Sequence, residues 1–278
     1  MISVIGVGTA GINIAESFSE YPQYNIYKIG KVQAEGSYQY EWLPSKIEPE
    51  SVEDTVPNLK NFFKDVDEDI YFFIAGDSLL ANGTLALLQQ IKEKKINIFY
   101  LYPEVNLLTN TQKLQNRAIF SILQEYARSG LFSSLNVIAN YNYENILGSI
   151  PIKNYWDNIN NTIASSIHMI NVFKFSRPIL GKVHDSHEIS RIRTFGIVGV
   201  EDFQEKLFFQ LDNVREKRYY IGINENTLEN DEKLYSKILD NISDKSENGE
   251  IDVSYAIYST KYDHDLVYCE YSTHFTQI

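Results

Sequence analysis

Through the first half of the chain, short apolar runs alternate with stretches whose apolar residues recur every three or four positions. The runs at residues 3–6, 25–29, 70–75, 96–101 and 135–139 read as buried strands, and the stretches at 11–19, 54–63, 83–94 and 111–129 read as helices. This alternation predicts an α/β fold, a mostly parallel sheet with helices on both faces. A longer periodic stretch follows at 153–173, where Trp156, Ile159, Ile163, Ile167 and Ile170 fall at spacings of three and four. Such a helix packs its stripe on a core. Beyond Pro178 the pattern shifts to short strands near 194–200, 206–211, 219–223, 251–258 and 266–272, with a polar helix over 228–242 and a charged turn over 240–250. The expected organisation is an α/β domain over 1–152, a long core helix over 153–176, and a second, smaller α+β domain over 177–278.

With 278 residues and 44% hydrophobic content, the chain can bury the cores that two moderate domains need. A net charge of -12 argues against a nucleic-acid surface, which needs clustered Lys and Arg to displace counterions from phosphates. The single cysteine, Cys269, excludes a disulfide framework and a Cys-rich zinc site, and fits a reducing compartment. No apolar run approaches the roughly 18 residues of a spanning helix, and no signal-like N-terminus is present. The expectation is a cytoplasmic protein with no direct membrane contact. The abundance of Tyr, Asn, Ile and Lys fits an AT-rich genome, and so a bacterium, or a host cell if the chain is phage-encoded.

Three stretches carry candidate chemistry. GVGTAG, with Gly6, Gly8, Thr9, Ala10 and Gly11, spells G-x-G-x-x-G between the first apolar run and the first helix. It is either a phosphate-cradling loop at a helix N-terminus or a tight turn whose glycines reach backbone angles closed to other residues. IAGDSLLANGTLALL, with Gly76, Asp77, Ser78 and Gly83, is a second candidate phosphate loop, or a structural loop in which Asp77 or Ser78 caps a helix. GKVHDSHEISRI sets Asp185 and Glu188 three residues apart beside His184 and His187. On a helical turn the two carboxylates would share one face and could orient a water or hold a cation. A zinc site from two His and two acids matches no specific spacing, and a solvated polar turn is the plain alternative.

The order of these parts resembles that of the tubulin/FtsZ superfamily of filament-forming GTPases. GVGTAGINIAE is similar to the first-loop pattern G-V-G-G-A-G-x-N, whose Asn reaches the guanine base; that position is Asn13. LNVIANYNYENIL resembles L-I-V-I-P-N-x-x-L-L and brings in Asn140. NYWDNINNTI resembles D-A-F-x-x-A-N/D-x-V-L, in which an aromatic ring stacks on guanine and a polar residue four positions on reads the base edge, here Trp156 and Asn160. RPILGKVHDSHEISRI is similar to R-P-G-L-x-N-V-D-F-A-D-V, the loop that one subunit inserts into its neighbour's nucleotide site. Its two acids fall on Asp185 and Glu188 once a one- or two-residue insertion is allowed.

The resemblance covers about residues 1–195. It implies GTP with Mg2+ as cofactors, bound by these residues of the first domain, head-to-tail self-association into filaments, and hydrolysis completed in trans by Asp185 and Glu188. Two departures bear on activity. AGDSLLANGT stands where the superfamily has G-G-G-T-G-S/T-G, and Val183 stands near the place of a catalytic Asn, so slow hydrolysis is the expectation. No adaptor-binding tail is expected after the last strand. A non-catalytic structural or interaction protein of the same fold is an alternative. A dinucleotide-binding oxidoreductase is another, but it needs an acid about 20 residues past the glycines, and Glu35 lies well beyond the second strand.

Overall fold

The structure, a computed structural model, describes residues 1–33, 36, 38–44, 48–139, 143–149, 151–246 and 249–277. The chain divides into two compact units, one made of Met1–Tyr143 with Ser149–Ala164, the other of Glu144–Gly148 with Ser165–Gln277. The division falls inside the long helix.

The chain runs β1 (Ile2–Val7), α1 (Gly8–Ser17), β2 (Tyr24–Gly30), β3 (Gln39–Glu41), β4 (Asp69–Ala75), α2 (Thr84–Gln89), β5 (Lys95–Tyr102), α3 (Asn110–Arg128) and β6 (Ser134–Ala139). A short helix α4 (Glu144–Leu147) precedes the long helix α5 (Tyr155–Phe175). Then come β7 (Leu180–Lys182), β8 (Ile192–Val198), β9 (Glu205–Leu207), β10 (Glu216–Asn224), α6 (Glu225–Asn230), α7 (Leu234–Asp244), β11 (Asp252–Thr260) and β12 (Leu266–Thr273).

In the first unit the strands lie in the order β3-β2-β1-β4-β5-β6, every pair parallel. Each strand read from an apolar run forms, slightly longer than the run. The runs are continuous because a parallel sheet is covered on both faces: Val4, Ile5, Ile29, Phe72, Ile98 and Val137 are fully buried. Phe73 and Phe99 stack across neighbouring strands at 4.6 Å. From β1 the chain steps one way to β2; from β4 it steps the other way to β5 and β6. Right-handed crossovers then set α1 and α3 on opposite faces of the sheet.

The helices follow the sequence pattern less closely. The stretch over 54–63 is not an α-helix. Single 3-10 turns occupy Pro49–Ser51 and Glu53–Thr55, and Val56 is extended because Pro57 follows it. The helix expected over 83–94 is shortened to α2, since the Gln90 amide turns to the 57–59 segment: Leu59 N–H donates to Gln90 Oε1 at 2.6 Å and Gln90 Nε2 donates to the Pro57 carbonyl at 3.0 Å. On α5 the stripe begins at Ile159. Ile159, Ile163, Ile167 and Ile170 are buried, each worth about 1.5–3 kcal/mol of transfer, whereas Trp156 is 53% exposed and leaves the stripe.

The second unit is α+β. Its strand order is β8-β12-β10-β11-β7, with β9 on β8; β10 and β11 are parallel and the other pairs antiparallel. The polar helix expected over 228–242 splits into α6 and α7 at an extended Asp231, whose carboxylate accepts from Lys233 N–H at 2.9 Å and Lys237 Nζ at 3.0 Å. The charged turn expected over 240–250 begins later, because α7 continues to Asp244. Among the described residues no helix is long and apolar enough to cross a membrane.

Candidate functional site

The reversal of direction between β1 and β4 makes a topological switch point, the place where open α/β sheets bind ligands beyond the carboxyl ends of their strands. Two connections leave the sheet there. After β1 the chain enters α1 directly. A Cβ on Gly6 would run into the Gly11 carbonyl oxygen, and one on Gly11 would lie 2.5 Å from the Phe73 carbonyl oxygen of β4, so these glycines let α1 lie against the sheet. Gly8 opens the helix at a φ of 72°, a conformation that suits glycine. Gly8 thus has the backbone angle that the turn reading expects, whereas Gly6 and Gly11 serve close approach, and neither role excludes a bound anion. Among the described residues no side chain caps α1 and no acid stands in its first turn. Its first N–H groups and positive dipole end suit an anion. Thr9 and Asn13 are exposed along this helix and Ala10 is half-buried.

The loop after β4 is built differently. Gly76 N–H donates to the Leu101 carbonyl at 3.0 Å, and a Cβ on Gly76 would collide with the Tyr100 hydroxyl and Asn116 Oδ1, which share a 2.6 Å hydrogen bond. Burial, with Tyr102 and Asp77 adding to it, holds the Tyr100 phenol well above its usual pKa, so it stays a donor to Asn116. Ser78 caps a 3-10 turn over Leu79–Gly83, accepting from Leu80 N–H at 3.3 Å. The N–H groups of Ser78 and Ala81 close on the carbonyls of Ala75 and Ser78 at 3.1 and 3.0 Å. Gly83 is glycine because Trp42 packs 2.5 Å from where its Cβ would be. Much of this loop's donor capacity is thus spent internally, and Asp77 is exposed beside it. Against a polyphosphate, the α1 side fits as a donor set and this side contributes little.

β6 runs parallel to β4 and β5 and so ends, at Ala139, at the same end of the sheet. At the start of α5, Trp156 presents its ring to solvent, edge-on to Tyr155 at 5.3 Å, and Asn160 one turn on is 9% exposed. Gly6, Gly8, Thr9, Ala10, Gly11, Asn13, Gly76, Asp77, Ser78, Gly83, Trp156 and Asn160 all belong to the first unit. Asn140 and Glu35 lie outside the described residues.

Asp185 and Glu188 belong to the second unit. The helical turn expected for them is absent: the segment after β7 has no regular structure until a turn at Glu188 and Ile189, because the β7 pairing with β11 ends at Lys182. Both carboxylates are exposed. His184 and His187 are exposed as well, and among the described residues no group of three His, Cys, Asp or Glu side chains gathers as a metal site.

No protein-family model matches the chain, and no curated protein matches it significantly in sequence. Solved structures match it in fold. A GTPγS-form protofilament of TubZ from Bacillus thuringiensis serovar israelensis superposes with a TM-score of 0.69 at 14% identity, over 99% of this chain and 87% of that one. An empty FtsZ dimer from M. jannaschii gives 0.66 at 12%, over 98% and 87%. CetZ from Methanosaeta thermophila gives 0.64 at 14%, over 99% and 87%. The fold is that of the tubulin/FtsZ superfamily. At such identities the likeness is one of fold, and the tubulin/FtsZ fold fixes which strands end at the switch point and which loops rise there.

Within this tubulin/FtsZ fold the sequence reading missed the polar interior of the second unit. Glu216, Lys217 and Arg218 are all buried at the head of β10, and Glu270 is buried in β12. Lys174 Nζ bonds Glu270 at 2.8 Å and the Tyr220 hydroxyl donates to its other oxygen at 2.6 Å. Burial alone would raise the Glu270 pKa, but Lys174, Arg218 and Arg193 outweigh it and hold the carboxyl well below the usual range. Arg193, desolvated and beside Arg218, is brought down to about 10. The signal was available: three successive charges opening an apolar strand, and one Glu amid YCEYST, are charges that a buried sheet must pair.

Proposed function

We propose that the chain is a GTP-binding, filament-forming cytoskeletal protein whose hydrolysis, slow at best, is completed in trans. The observation that carries this reading is the uncapped N-terminus of α1 at the switch point of a tubulin/FtsZ fold. There the α1 N–H groups would hold phosphate oxygens, Trp156 would stack on the base, and Asn13 and Asn160 would read its edge, with Mg2+ carried by the phosphates. GTP supplies the phosphoanhydride when bound. The residues of a neighbouring copy would supply Asp185 and Glu188, whose exposed carboxylates can orient a water.

Structures of TubZ protofilaments in GTPγS and GDP forms support self-association as the mode of action to test. One observation favours a second reading, a filament protein or filament partner without turnover: the second loop spends its N–H groups on its own turn. Titration with fluorescent GTP and ATP analogues, followed by phosphate release, separates these. Selective GTP binding with release supports the first reading. Binding without release supports the second. ATP competing as well as GTP overturns the base-site assignment.

A further inference from the structure

The acidic loop has no regular secondary structure, so its backbone must be held from outside. Two bonds do this. Glu216, 4% exposed at the head of β10, accepts from His187 N–H through Oε1 at 3.0 Å and from the Ser272 hydroxyl through Oε2 at 2.7 Å. Ser272 stands opposite Glu216 on β12, and its Oγ in turn accepts from Arg218 Nη2 at 3.2 Å. On the next strand, Ser254 Oγ accepts from His184 N–H at 3.3 Å. The anchored residues are the ones immediately before Asp185 and Glu188. Beside the loop lies a cavity of about 640 Å³, lined in part by His187, Ser190, Arg215, Glu216, Asp252 and His274. Side-chain packing on that flank is incomplete, which leaves the backbone anchors to fix the loop.

We infer that Glu216 and Ser254 are positioning residues for the acidic loop, fixing its backbone at His187 and His184 so that Asp185 and Glu188 project from a rigid frame. This rests on the reading of those two acids as the groups that orient water. A buried carboxylate is costly unless its hydrogen bonds are made. An apolar residue at 216 would release the loop and leave the Ser272 hydroxyl without its carboxylate acceptor. The exposed His187 Nε2–Asp252 Oδ2 approach of 3.7 Å adds a contact that is too screened to substitute.

The test uses the full chain with Glu216→Ala, Glu216→Gln, Ser254→Ala and the double variant Asp185→Asn/Glu188→Gln, reading amide exchange over 183–188 and steady-state GTP turnover. Glu216→Ala is expected to lose protection at the His187 amide and to lower kcat by about 10- to 100-fold at unchanged KM, the size of effect that misplacing a catalytic group produces. Glu216→Gln keeps an oxygen for the His187 N–H and is expected to restore protection and turnover to within roughly threefold. Ser254→Ala is expected to lose protection at His184 and to lower kcat by roughly three- to tenfold. Protection unchanged in both Ala variants overturns the anchors. Protection lost with kcat unchanged, while the double variant is inactive, overturns positioning alone. Wild-type turnover in the double variant, or none in the unmodified chain, overturns the reading of the acids, and the positioning role falls with it. Where Glu216→Ala fails to fold, Ser254→Ala decides: wild-type exchange and kcat in that variant overturn the proposal.

Discussion

Trp156 and Asn160 sit one turn apart on α5 yet meet water differently, the indole 53% exposed and the amide 9% exposed. An indole left half in water at the mouth of a helix has area to offer a flat ligand. Trp156→Ala is expected to weaken guanine-nucleotide affinity by about 1–3 kcal/mol while leaving the thermal midpoint nearly unchanged, measured by nucleotide titration beside a melt. Glu270 makes the opposite case, a charge kept for the fold. Its pKa is lower folded than unfolded, so the stability it contributes is present above the unfolded value of about 4.3 and is lost as pH falls through the folded one. Urea midpoints of the unmodified protein should therefore fall on acidification below about pH 4. Those of Glu270→Gln should start lower, by up to about 3 kcal/mol of stability, and vary less over the same range. Equal acid slopes for the two proteins would remove Glu270 as a source of the pH dependence.

Among the elements, α1 joins two demands that a single substitution can separate. Thr9 is exposed in its first turn, where among the described residues no side chain serves the dipole. Thr9→Asp should stabilise the nucleotide-free protein by about 0.3–1 kcal/mol through the helix dipole. The same carboxylate should repel phosphate and lower GTP affinity at least tenfold, so melting and titration should move in opposite senses. If both rise, the helix end does not receive phosphate. The strands of the first unit were legible because burial on both faces makes them continuous apolar runs, as in residues 70–75. The stretch over 54–63 misled, because its apolar spacing is helical while the backbone at Val56 obeys the following proline. Gly6 and Gly11 were legible as a loop, but their tight approach to neighbouring carbonyls depends on where β4 lies, which no local pattern reports. The acidic loop showed its carboxylates in sequence and hid its anchors, since Glu216 and Ser254 are distant along the chain and meet it only through the sheet.

At the scale of the whole molecule, an acidic pair in one unit and the proposed nucleotide site in the other predict open, head-to-tail assembly, because a heterologous contact does not close. Specific phosphate release should rise with protein concentration, and the Asp185→Asn/Glu188→Gln double variant should bind nucleotide as before, turn over slowly and form longer-lived filaments. A dilution series read by phosphate release and negative-stain microscopy checks this. Activity independent of concentration would sink the in-trans mechanism. A chain proposed to polymerise also has to avoid joining in the wrong way. One outer strand of each unit, β3 in the first and β7 in the second, is only three residues long. Gly181 in the middle of β7 adopts a φ of 73°, and a Cβ there would lie 2.5 Å from the Tyr255 carbonyl oxygen. Edges this short and bent offer little template for another strand to zip onto. For a chain proposed to assemble in order at high concentration, these two borders are thereby blunted against sheet-to-sheet coagulation, the competing fate of a concentrated β-rich protein.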